Sequence, residues 1–85
     1  MPKPVVTIRF FASLREQVGK HSVALLTTST QTVTEVIELL SDLYPELDRL
    51  RDESLLVAVN QTMTNRAHLV EPGDELAFFP PVTGG

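Results

Sequence analysis

One stretch constrains the fold more than any other: "TVTEVIELLSDLYP", residues 32–45. Thr32 and Glu35 stand three apart, the spacing of a capping box, in which hydroxyl and carboxylate satisfy each other's backbone N–H groups at a helix start. The carboxylate also lies at the positive end of the helix dipole. Val33, Val36, Ile37, Leu40, Leu43 and Tyr44 then recur with a 3.6-residue period, forming one apolar stripe. Pro45 stops the helix. A helix with a single apolar face needs one surface to cover it. In a chain of 85 residues that surface belongs to one sheet in one domain.

The flanking segments read as strands. In "VVTIRFF", 5–11, Val6, Ile8 and Phe10 share one face while Thr7, Arg9 and Phe11 share the other. "ASLREQVG", 12–19, predicts a short helical turn ending at Gly19, and "HSVALLTT", 21–28, a second strand that makes a hairpin-like pair with the first. "LLVAV", 55–59, has the unbroken apolar character of a buried strand, and Asn60-Gln61 suits a turn. A short strand is expected near Ala67–Val70. In "EPGD", 71–74, Pro72 and Gly73 fit the two central positions of a type II turn. "ELAFF", 75–79, is the last strand, and the charge-mixed "ELDRLRDES", 46–54, is expected to be a solvated connection. The result is an α+β domain, a mixed sheet of about four to five strands on one main helix. A β-grasp arrangement follows if the first and last strands are central neighbours.

Composition removes whole classes of function. The chain has no cysteine, so disulfides, thiolate metal sites and a cysteine nucleophile are excluded. A net charge of −4 argues against nucleic acid as a partner, since that binding needs clustered cations. Apolar runs are too short to span a membrane and "MPKPVVTIRFF" lacks signal-peptide features, so the expected address is cytoplasmic. His21 and His68 are isolated, and metal binding is not expected. No glycine-rich phosphate loop or activated serine stands out.

The distinctive chemistry lies in "FFPPVTGG", 78–85. Alternation buries Phe78 and turns Phe79 outward, as it does Phe11 at the end of the first strand. If those strands are neighbours, Phe11 and Phe79 form an exposed apolar patch of the kind enriched in binding hot spots; otherwise both rings pack under a loop or the tail. Pro80 and Pro81 end the strand and stiffen the exit. Beyond them Val82 and Thr83 lead to Gly84 and Gly85, which lack a Cβ and fit a narrow channel. The segment reads either as a tail delivering a terminal carboxylate to a partner or as a frayed end.

"LLVAVNQTMTNRAHLVEPGDELAFFPPVTGG", 55–85, and "VTIRFFASLREQVG", 6–19, resemble the family of molybdopterin synthase small subunits, the bacterial MoaD family. "VNQ", "PGDE" and "FFPPVTGG" together carry that resemblance; residues 20–54 are generic. It implies a ubiquitin-like β-grasp domain over 1–79 with a flexible C-terminal tail over 80–85. It implies a sulfur carrier whose Gly85 carboxylate is adenylated by a MoeB-like activating enzyme that consumes ATP, then converted to a thiocarboxylate. No bound cofactor is implied. The synthase large subunit would accept the tail and turn cyclic pyranopterin monophosphate into molybdopterin, within a heterotetramer. The small subunit would donate sulfur, with catalytic side chains on the large subunit. The resemblance marks Phe79 as an interface aromatic and makes Pro80, Pro81, Val82, Thr83, Gly84 and, in the matching "SLRE" stretch, Arg15 candidate partner contacts; Phe11 joins them on its spacing alone. Two alternatives share the tail: a sulfur carrier for thiazole or tRNA thiolation, and a ubiquitin-like protein modifier.

Overall fold

The computed structural model describes residues 4–81. Strand β1 (Val5–Phe10) leads through helix α1 (Ala12–Val18) to β2 (Ser22–Leu26), which returns antiparallel to β1. Gly19 closes α1 in the left-handed region at φ 74°, where glycine has no side chain to strain. Two-residue β3 (Gln31–Thr32) precedes helix α2 (Val33–Leu43), and a 3₁₀ helix (Pro45–Arg51) follows. Then come β4 (Leu56–Val59), β5 (Thr62–Thr64), β6 (Leu69–Val70) and β7 (Glu75–Phe79).

The main sheet has the order β2-β1-β7-β4-β5, with β1 and β7 parallel at its centre and the remaining pairs antiparallel. This is the β-grasp order. Val6, Ile8 and Phe10 of β1, Leu76 and Phe78 of β7 and Val57 and Val59 of β4 meet Val33, Val36, Ile37 and Leu40 of α2 in one core. The capping box is complete: the Glu35 N–H donates to Thr32 Oγ1 at 3.1 Å, and the Thr32 N–H donates to Glu35 Oε1 at 2.9 Å. The β4–β5 hairpin turns on Asn60 and Gln61, both at positive φ, as a two-residue turn between twisted strands requires. The 71–74 turn has Gly73 at φ 98° and closes through the Asp74 N–H on the Glu71 carbonyl at 3.0 Å.

Four expectations are corrected. Residues 46–54 are not merely a solvated connection: the 3₁₀ helix buries Leu47 and Leu50 completely. The strand pairing with β4 is β5 at 62–64, whereas the strand within 67–70 pairs outside the main sheet, with β3. Leu55–Val59 is not buried throughout, since Leu56 faces outward. Leu43 is 61% exposed rather than part of the core stripe. At about 100° per residue it lies roughly 70° off the centre of the α2 stripe, and Tyr44 falls nearer to it. Tyr44 packs against the core instead.

Candidate functional site: an aromatic pair where the last strand ends

Side chains opposite each other across a sheet share a face, so the register defines what covers the side away from the helices. One row reads Arg9, Ala77, Ala58, Met63 across β1, β7, β4 and β5. The next row pairs Leu56 with Phe79. Ala58 and Ala77 are nearly inaccessible yet lie outside the core cluster. They form a small-residue floor shielded by their larger neighbours on this face.

Phe79 is half-buried and stacks on Phe11, their ring centroids 4.8 Å apart and their planes 12° from parallel. That geometry stabilises an aromatic pair by about 0.5–1.5 kcal/mol beyond burial. Adjacent Phe78 points the other way and is fully buried, 6.4 Å from Phe10. The chain positions Phe11 by extending the β1–β7 pairing one residue, through its N–H to the Phe78 carbonyl at 3.2 Å. It then turns sharply at Ala12, which adopts φ 55°, into α1. The parallel pairing of β1 with β7 therefore brings the two rings together, half-buried rather than fully exposed.

Pro80 is half-buried and Pro81 exposed, directly after Phe79. Arg15 is exposed on α1. Val82, Thr83, Gly84 and Gly85 lie outside the described residues.

Two residues of the face escaped sequence reasoning. The Arg9 guanidinium sits 5.3 Å from the centroid of the Phe11 ring, and its Nη1 is 3.8 Å from Glu75 Oε2. Met63 is 55% exposed at the other end of the alanine row. Strict alternation places Arg9 on the Phe11 face, and that was the available signal. Met63 had none, because its strand was not predicted.

Elsewhere, surface hollows of about 340 and 400 Å³ adjoin Arg66. That side chain is committed to structure, its Nη1 donating to the Leu50 carbonyl at 2.8 Å and its Nη2 to that of Asp52. Among the described residues no group of three or more His, Asp or Glu is disposed to hold a metal ion, and no helix is long and apolar enough to cross a membrane. Two carboxylates are perturbed. A backbone N–H, with Lys20 close by, holds Glu46 below its ordinary value, and the Ser54 hydroxyl and N–H do the same for Asp52.

The fold is that of the ubiquitin-like proteins, here with a half-buried aromatic pair where the last strand ends. Within that class the chain belongs to the ThiS family, whose profile matches residues 8–85. The molybdopterin synthase sulfur carrier subunit of Escherichia coli (strain K12) is 40% identical, covering 95% of this chain and 100% of the relative. The protein of that name from Haemophilus influenzae is 37% identical with the same coverage. Among solved structures, SAMP1 from Haloferax volcanii superposes with a TM-score of 0.77 at 28% identity, covering 95% of this chain and 99% of that one. The complex of subunits 1 and 2 of molybdopterin-converting factor from Helicobacter pylori contains a chain matching at a TM-score of 0.64 and 21% identity, covering 95% and 99%, a likeness of fold.

Proposed function

We propose that this chain is the sulfur carrier subunit of a molybdopterin synthase. The observation that carries the reading is the half-buried Phe11–Phe79 stack, placed where β7 gives way to Pro80 and Pro81. Aromatic anchors of this kind dominate interface energies, and this one sits at the root of the tail. The names of the relatives at 40% and 37% identity supply the chemistry.

In this reading the Gly85 carboxylate is the working group. A carboxylate is a poor acyl donor because oxide is a poor leaving group. Its oxygen attacks the α-phosphorus of ATP on a MoeB-like activating enzyme, releasing pyrophosphate and forming an acyl adenylate. A sulfur nucleophile then displaces AMP, leaving a thiocarboxylate. That group is ionised at neutral pH and is a soft nucleophile, as a thiolate is. Its sulfur bonds to a carbon of cyclic pyranopterin monophosphate in the large subunit, displacing an oxygen substituent, and water then cleaves the acyl–sulfur bond, leaving sulfur on the pterin and regenerating the Gly85 carboxylate. The substrate is anionic while this chain carries a net charge of −4, so cationic assistance belongs to the large subunit, together with the catalytic side chains. Gly84 and Gly85 pass a narrow channel while Phe79, Phe11, Pro80 and Pro81 dock, with Arg15 at the margin. The assembly is a heterotetramer and the compartment the cytoplasm.

Incubation with the activating enzyme, ATP and a sulfur donor should raise the intact mass by the difference between sulfur and oxygen. Adding the large subunit and the cyclic precursor should return the original mass and yield molybdopterin. Loading without that turnover would assign the chain to another thiolation pathway. The SAMP1 likeness favours a second reading, a protein modifier; a conjugate to a lysine of another protein would establish it instead.

A further inference from the structure

Resting on the docking face proposed above, the geometry points to Arg9 as a specificity-determining residue that reads a carboxylate on the large subunit. By the strand register, this face carries alternate residues of all five strands of the main sheet, among them Arg9 of β1 and Glu75 and Phe79 of β7. Among the described main-sheet positions on this face, Arg9 and Glu75 are the only charged side chains. Arg9 is half exposed, and its contact with Glu75, at 3.8 Å, is too long for a hydrogen bond. Its guanidinium instead lies near the Phe11 ring, which is itself stacked on Phe79. The cation is therefore part of the aromatic anchor.

This placement sets a requirement for the partner. When the aromatic pair is covered, the guanidinium beside it loses water, and an unpaired charge is strongly unfavourable there. Contact with an aromatic face relieves only part of that cost. The planar fork of donors remains to be satisfied, and a carboxylate accepts it in a bidentate way while neutralising the charge. Glu75 at 3.8 Å offsets part of the charge but accepts no hydrogen bond, so a partner offering only apolar surface would leave the donors of Arg9 unsatisfied, and Arg9 rejects such partners as well as selecting the acidic one.

The test titrates the full-length carrier and its R9A, R9K, R9E and F79A variants against the purified synthase large subunit at several salt concentrations. Thermal unfolding checks that each variant is folded. Arg9→Ala should weaken binding about tenfold or more at low salt and flatten its salt dependence. Arg9→Lys should fall between, keeping the charge and losing the fork. Arg9→Glu should bind most weakly and be restored by replacing one carboxylate of the large subunit with Arg. If Phe79→Ala weakens binding while R9A and R9E match the native chain, the role of Arg9 is refuted and the docking face stands. Loss in R9A with an unchanged salt dependence replaces the carboxylate with a neutral acceptor, which also overturns the proposal. If F79A too binds normally, the docking face itself is wrong.

Discussion

Two neighbouring phenylalanines should fail in opposite ways. Phe78 is fully buried between the sheet and the helices, and Phe79 stacks on Phe11 on the opposite face. Truncating a buried phenylalanine costs about 3–5 kcal/mol. A domain of 85 residues has about 4–13 kcal/mol in total. Phe78→Ala therefore removes a large share of the stability, and at the bottom of that range, about 4–5 kcal/mol, it leaves little or none. Phe79→Ala loses the ring stack, about 0.5–1.5 kcal/mol, and the burial of a half-covered ring, about 1–1.5 kcal/mol, less than the loss at Phe78, and the chain stays folded. Its penalty appears on docking: a hot-spot loss of about 2 kcal/mol is a roughly thirtyfold rise in Kd. Urea denaturation of both variants, followed by calorimetric titration of the folded one with the large subunit, separates the effects. Equal losses of stability in the two variants, or native affinity in Phe79→Ala, would refute the assignment of the two rings to opposite faces with opposite tasks.

Leu50→Ala should destabilise by about 2.7–5 kcal/mol in denaturant titrations, whereas Leu43→Ala, 61% exposed, should stay within about 0.5 kcal/mol. Thr32→Ala breaks the capping box and should cost about 0.5–2 kcal/mol, read as a drop in Tm of about 4–8 °C per kcal/mol; Glu35→Ala in the same background should add little. Glu46 and Asp52 titrate below their ordinary values of 4.5 and 3.8, so the stability they lend is complete above those values and is lost as pH falls through the lower folded ones. Both groups are exposed, so the effect is small. Asp52→Asn should flatten the acid side of a Tm-against-pH curve, and an unchanged slope would remove the Ser54 hydrogen bonds as its cause.

The sequence was most legible where one periodicity ran unbroken. Alternation at Val6, Ile8 and Phe10 and at Leu76 and Phe78 assigned the core face, and the Thr32–Glu35 pair placed the helix start to the residue. The 3₁₀ helix was missed because charged residues surround its two buried leucines. Tyr44, Leu47 and Leu50 are nevertheless spaced by three, the repeat of a 3₁₀ helix, which sets all three on one side. Strand β5 gave no signal: its single apolar residue, Met63, faces outward between two threonines. The aromatic patch depended on which strands are neighbours. Alternation could orient Phe11 and Phe79, but only the parallel pairing of β1 with β7 brings them into contact.

That pairing also dictates when the protein matures. Ile8 sits opposite Leu76, so the middle of the sheet joins segments from far apart in the chain, and contacts so distant in sequence form late. A ribosome still holding residues 75–79 carries a nascent polypeptide without its central strand, and helix α2 has no finished surface to settle on. Any molecule sound enough to be gripped by a partner has therefore been translated past Phe79. Abortive products halted upstream stay unfolded, prey for proteases, and do not compete for a partner.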